Sequence, residues 1–105
     1  VKFLAKGKQV IYPEDYNTKV AYLKRSAAWI EEKKQEGIIE CAYSYPSGTG
    51  FLIFNVESNQ ELTKYLIDFP LFCLSEFEVN PICNFSEYSE IVINEFVKLG
   101  VYSIE

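Results

Sequence analysis

The 105-residue chain contains no histidine and only three cysteines, Cys41, Cys73 and Cys83. Without an imidazole, neither a Ser-His-Asp relay nor a Cys-His pair can be assembled. The cysteines lie too far apart in sequence for the C-x₂₋₄-C spacing of a zinc site, and their odd number argues for free thiols over a disulfide framework, so no metal is expected. Glycine is sparse and scattered, at Gly7, Gly37, Gly48, Gly50 and Gly100, in neither the G-x-G-x-x-G nor the P-loop arrangement. No nucleotide or other cofactor is therefore expected. Positive charge is also short: ten Lys and Arg stand against fifteen Asp and Glu, a net charge of −5. Such a chain lacks the basic footprint that grips a phosphate backbone, so no nucleic-acid partner is expected. No apolar run approaches the roughly 20 residues that cross a bilayer, and Val1 to Gly7 is too short and interrupted for a signal h-region. The expectation is a cytoplasmic protein with no membrane partner.

What is present suits one packed domain: 49% of residues are hydrophobic and 24% charged. Lys2 to Ile11 alternates loosely and predicts a first strand, closed by the turn cluster Tyr12-Pro13-Glu14-Asp15. Val20, Leu23, Ala27 and Ile30 then recur at helical spacing, and Gly37 supplies the C′ residue. Ile38 to Tyr45 alternates, with Ile39, Cys41, Tyr43 and Tyr45 on one pleat face, the face expected to meet the helices. Pro46 to Gly50 predicts a hairpin turn. Phe51 to Val56 is apolar on both faces, as in an interior strand covered above and below. Ser58-Asn59-Gln60-Glu61 matches a capping box, and Leu62, Tyr65, Leu66 and Phe69 continue a second helix that Pro70 stops. Leu74 to Pro81 predicts a fourth strand. Ser86 caps a last helix with Tyr88, Ile91, Val92, Phe96 and Leu99 on its apolar side, before a tail from Val101 to Glu105.

Two β-α-β units in one sheet predict an α+β fold, the ferredoxin-like βαββαβ sandwich, with residues 1–85 forming its body and residues 86–105 an appended helix and tail of the same domain. Its helix-free sheet face exposes apolar side chains from the interior strand, which predicts sheet-to-sheet dimerisation or a larger ring. Lys2 and Lys6 share that face with Glu76 and Glu78, as cross-strand charge pairs do.

Three stretches carry a resemblance to a known family: Phe54-Asn55-Val56-Glu57-Ser58-Asn59-Gln60-Glu61-Leu62, then Leu66-Ile67-Asp68-Phe69-Pro70-Leu71-Phe72, then Glu76-Phe77-Glu78-Val79. With the opening KFLAKGKQVI, the stretch Ala28-Trp29-Ile30 through Gly37 and the strand Ala42-Tyr43-Ser44-Tyr45, the chain resembles the muconolactone delta-isomerase family from about Lys2 to Phe85. The resemblance implies a ferredoxin-like scaffold assembled through its sheets and a cofactor-free isomerase that moves a proton within an unsaturated lactone. Where the family's strand after the helix-ending glycine carries Arg, His and Trp, this chain reads Ile38-Ile39-Glu40-Cys41-Ala42-Tyr43, and a negative Glu40 there argues against an anionic muconolactone as substrate.

The candidate proton-transfer residues are Glu40, Glu78, Tyr43 and Tyr45, carboxylates and phenols in or beside apolar strands, each with a plain alternative as an exposed pair or a packing residue. Trp29, Cys41, Phe54, Phe69 and Phe72 are the candidate ligand-binding residues. The functional expectation is a cofactor-independent, isomerase-like homo-oligomer acting by acid–base proton transfer on a small unsaturated or lactone-type molecule. The alternative is a non-catalytic oligomeric binding or interaction module on the same scaffold.

Overall fold

The computed structural model describes residues 1–100; the predicted tail, Val101 to Glu105, lies outside them. The elements run β1 (Lys2–Gln9), α1 (Tyr16–Gln35), β2 (Ile39–Ser44), β3 (Gly50–Asn55), α2 (Asn59–Asp68), a single 3₁₀ turn (Phe72–Leu74), β4 (Ser75–Ile82) and α3 (Phe85–Lys98). The strands form one antiparallel sheet in the order β2-β3-β1-β4. This is the predicted α+β, ferredoxin-like architecture, with the fourth strand beside the first. No helix among the described residues is long and apolar enough to cross a membrane.

Local chemistry fixes the helix ends. The Asp15 carboxylate accepts hydrogen bonds from the Thr18 backbone N–H at 3.0 Å and from the Thr18 hydroxyl at 2.8 Å, capping α1. Gly37 adopts φ +79°. Its N–H donates to the Lys34 carbonyl, and that of Ile38 to the Lys33 carbonyl, the paired bonds of a Schellman ending. At α2 the Ser58 hydroxyl accepts from the Glu61 N–H at 3.2 Å, while the Glu61 carboxylate reaches back to the N–H of Glu57, one residue earlier than the standard box. The cap of α3 is Asn84, whose side-chain oxygen accepts from the Ser86 N–H at 2.8 Å, so the predicted cap at Ser86 shifts by two residues.

The core lies between the sheet's inner face and the helices, built from Phe3, Leu52, Phe54, Leu62, Leu66 and Phe69 around Trp29. Trp29 packs on Phe69 at 5.1 Å and on Phe54 at 6.5 Å between centroids, and its indole N–H donates to the Asp68 carboxylate at 3.0 Å, joining α1 to α2. This rotates α1 from the predicted orientation. The buried side is Ser26 and Trp29, while Leu23, from the predicted stripe, is 51% exposed. A ring as large as indole takes the deepest position and swings the aliphatic stripe sideways.

A second correction concerns β2. Its register against β3 slips between Ile39 and Cys41, where Glu40 forms a bulge. Ile39 therefore points into the core, but beyond the bulge Ala42 faces inward opposite Leu52, while Cys41 and Tyr43 face outward opposite Ile53 and Phe51. Tyr43 and Tyr45 pack on Phe51 at 5.7 and 6.4 Å, on the face away from the helices, not toward them. A third concerns β3, where Leu52 and Phe54 are buried but Phe51 and Ile53, on the outer face, are only half-buried. That strand is covered on one side within this chain.

Candidate functional site

The inner face of the sheet grades from large to small along its length. At one end Phe3, Phe54 and Ile39 sit in register and fill the space beneath the helices. At the other, the corresponding positions are Gly7, Gly50 and Ser44, with Ala5 and Ala42 one step inward. Side chains this short do not reach α1, and a cleft of about 700 Å³ opens between them. That volume falls within the ~300–1,000 Å³ of small-molecule sites.

The cleft's α1 wall carries Leu23, Ala27 and Ile30, the stripe that Trp29 displaced, and its closed end is formed by Phe69, Leu71 and Phe77. Gly7 makes room for this end wall: a Cβ there would stand 2.7 Å from the Phe77 ring. Phe77 in turn stacks on Phe72 at 6.1 Å. Polar side chains share the lining, among them Gln9, Ser44, Ser47 and Ser75, alongside the apolar wall that would supply affinity. Lys19, Glu31 and Lys34 line the α1 rim, with Lys34 3.8 Å from Glu31. On the opposite margin the Tyr12 hydroxyl donates to the Gln9 carbonyl at 3.0 Å.

One polar group lies deep. Ser26 borders the cleft from α1 and is 4% exposed, and its hydroxyl oxygen is closed to solvent and has no hydrogen-bond partner. A buried hydroxyl without a partner is costly in the empty protein.

The sequence-predicted residues divide between two faces. Phe69 forms part of the end wall, while Tyr43 meets the hairpin margin of the cleft with its ring turned to the outer face against Phe51. Trp29 and Phe54 lie in the core, and Phe72 stands behind Phe77. Glu40, Glu78, Tyr45 and Cys41 belong to the outer face. There the Lys2 ammonium donates to the Glu40 carboxylate at 3.1 Å, both side chains nearly half exposed. Glu78 stands opposite Lys6 in the β1–β4 register, and Glu76 opposite Lys8. Glu40 is thus neutralised on the far side of the sheet and gives no argument about the charge of a ligand in the cleft. Among the described residues no three His, Cys, Asp or Glu side chains converge as metal ligands would.

Ser26, Lys19, Glu31, Lys34 and Phe77 also border the cleft and are not among the sequence-based candidates. No sequence motif marks Ser26, since a serine within a helix reads as neutral. The cleft itself left a signal, the run of small residues at one end of three adjacent strands, visible once the register is known.

No family model and no curated protein matches the sequence. Solved structures do match in fold. One is 5-chloro-2-hydroxyhydroquinone dehydrochlorinase from Burkholderia phenoliruptrix AC1100 in complex with 2,5-dihydroxybenzoquinone, at TM-score 0.63 and 16% identity over 80% of this chain and 95% of that one. Another is muconolactone isomerase, at TM-score 0.72 and 19% identity over 80% of this chain and 90% of that one. The chain is therefore built on the ferredoxin-like scaffold that muconolactone isomerase and this dehydrochlorinase share.

Proposed function

We propose that the chain is a cofactor-independent proton-transfer enzyme acting on a small unsaturated or lactone-type ring held between α1 and the sheet. The observation that carries this reading is the cleft, mainly apolar in its lining, with an unpartnered hydroxyl just behind its α1 wall and ionisable groups at its rim. The fold neighbours support the same class of chemistry, since one is an isomerase and the other a dehydrochlorinase bound to a quinone.

In this reading the apolar part of the lining holds the ring, and the Ser26 hydroxyl, uncovered by a small shift of its neighbours as the ring enters, donates a hydrogen bond to a ring oxygen. Glu31, the one carboxylate on the cleft wall, takes a proton from carbon and returns it at another ring position. Lys34, beside Glu31, offsets the negative charge that develops on the ring oxygen as the proton leaves. Assistance of this kind contributes about 10²–10⁴-fold, sufficient for an already acidified C–H.

The test is NMR of muconolactone and of 5-chloro-2-hydroxyhydroquinone incubated with the protein in D₂O. Solvent deuterium should enter the ring of at least one, and Glu31→Gln should slow that exchange by about 10²–10⁴-fold. Exchange no faster than in buffer, for both compounds, overturns catalysis on this class. One observation favours the alternative of a binding module without turnover: Glu40, Glu78 and Tyr45 stand on the outer face, leaving a single carboxylate in the cleft. That reading predicts saturable binding of 2,5-dihydroxybenzoquinone with no isotope exchange.

A further inference from the structure

The cleft is longer and roomier than a single ring needs. Its lining on α1 runs from Lys19 to Lys34, about 22 Å along the helix axis. A one-ring compound of about ten non-hydrogen atoms, at the ~30 Å³ a water molecule takes up in the liquid, fills roughly 300 Å³. The cleft holds about 700 Å³, so such a compound at Glu31 leaves most of it open.

The open part has a chemistry of its own. Leu23 lies eight residues before Glu31, about 12 Å along the axis and beyond a single ring held at that carboxylate. It lines the cleft yet is 51% exposed, because Trp29 takes the buried side of α1. Past Leu23 the lining turns polar. Gln9 and Ser75 stand opposite each other in the β1–β4 register, and Lys19 joins them from the first turn of α1. The Gln9 amide is already engaged, donating to the Ile11 carbonyl at 3.0 Å, and the Tyr12 hydroxyl donates to the Gln9 carbonyl. Lys19 is differently placed. Lys34 has Glu31 at 3.8 Å, whereas Lys19 forms no ion pair among the described residues.

We propose that the cleft takes an acid built on two linked rings: one ring lies at Glu31, the second against Leu23 and Ala27, and the acidic group ends on the Lys19 ammonium beside the Ser75 hydroxyl. This rests on the proposed function only in taking the cleft for the ligand site and Glu31 for its reacting end. Spacing supports it. Glu31 and Lys19 are twelve residues apart, about 18 Å along the axis, and with both long side chains leaning inward a gap of roughly 10 Å remains. An acid group carried directly on the reacting ring does not bridge that gap, and one carried on a second ring does. Apolarity in the middle and a positive charge without a partner at the far end match the same molecule, its rings buried and its anion left at the wet margin.

The test is calorimetric titration of the full chain at low salt with benzoate, biphenyl-4-carboxylate and the neutral biphenyl-4-carboxamide. The biphenyl acid should bind at least tenfold more tightly than benzoate, and about threefold more tightly than its amide, the size expected of an ion pair open to solvent. Lys19→Gln should abolish the preference for acid over amide, and raising the salt should shrink it in the wild type. Leu23→Glu should weaken the biphenyl acid at least tenfold; Leu23 is half exposed, so the variant keeps the fold, which its urea midpoint checks. Benzoate binding as tightly as the biphenyl acid overturns the two-ring reading. A preference for the acid that survives Lys19→Gln, or binding indifferent to Leu23→Glu, overturns the placement. These affinities are read without turnover, so the two readings fail separately. If they hold while no deuterium exchange occurs, the enzyme is lost and the ligand class stands; exchange on the one-ring compounds without preference for the biphenyl acid does the reverse.

Discussion

Ser26 occupies the position where a single atom separates the empty protein from the occupied one. Its hydroxyl is shut away from solvent with no acceptor or donor in reach. Replacing it by Ala removes an unsatisfied polar group while keeping the helix, so Ser26→Ala should stabilise the empty protein by about 1 kcal/mol in urea denaturation. The same variant should bind 2,5-dihydroxybenzoquinone several-fold more weakly. A variant less stable than wild type would show that the hydroxyl is satisfied within the chain. Glu40 gives the contrasting case. It faces Lys2 across the outer sheet with both side chains in solvent, and such a pair contributes about 0–1 kcal/mol. Glu40→Gln should leave the cleft's ligand affinity unchanged and move the urea midpoint little. The sequence showed Glu40 as a charge in an apolar strand but not which face it takes, because a one-residue bulge reverses every side chain that follows. Tyr43, Tyr45 and Cys41 were misplaced for that one reason.

At the scale of elements, short side chains decide where the sheet stays open. Gly7 is the clearest instance, since the Phe77 ring lies over it at the distance a Cβ would need. Gly7→Ala should push the ring into the cleft, destabilise the fold by about 1–3 kcal/mol through overpacking, and lower ligand affinity together with the urea midpoint. Loss of stability with full affinity would place the ligand elsewhere. The start of α1 predicts a pH dependence. Hydrogen bonds from the Thr18 side chain and then its backbone hold the Asp15 carboxyl below its ordinary 3.8. A lowered folded pKa means that this stabilisation is present above pH 3.8 and is lost as pH falls through the folded value. Asp15→Asn keeps a capping oxygen that does not titrate there, so its stability should fall less steeply than wild type in that acid range. Caps, turns and strand alternation are local, which is why the element order, the Gly37 ending and the Ser58 cap were legible in the sequence. The α1 orientation was not, because it depends on Trp29 finding Phe69, Phe54 and Asp68 from distant parts of the chain.

At the scale of the whole molecule, the body and α3 obey different balances. The body closes its own core, with Phe54 and Ala5 fully buried. Among the described residues α3 adds apolar surface and has no buried residue whose packing would offset the ordering of its 14 residues. An amphipathic helix this short is marginal in water by itself, so its stability must come from packing against another surface. Linkage then makes a measurable demand. If α3 is ordered by a second copy, assembly stabilises the folded chain by mass action, and the melting temperature must rise with protein concentration. Over a hundredfold range the rise should be several degrees for wild type, since a 1 kcal/mol gain moves a domain of this size by about 4–8 °C. In Val92→Glu the melting temperature should be flat across the same range and equal to the wild-type value at the lowest concentration. A wild-type melting temperature independent of concentration, in a reversible transition, would mean that α3 gains nothing from a second copy. A variant that melts below the most dilute wild type would mean that α3 packs on its own body. The concentration series therefore separates a helix packed on a second copy from one folded back on its own body, without a ligand or an assay of activity.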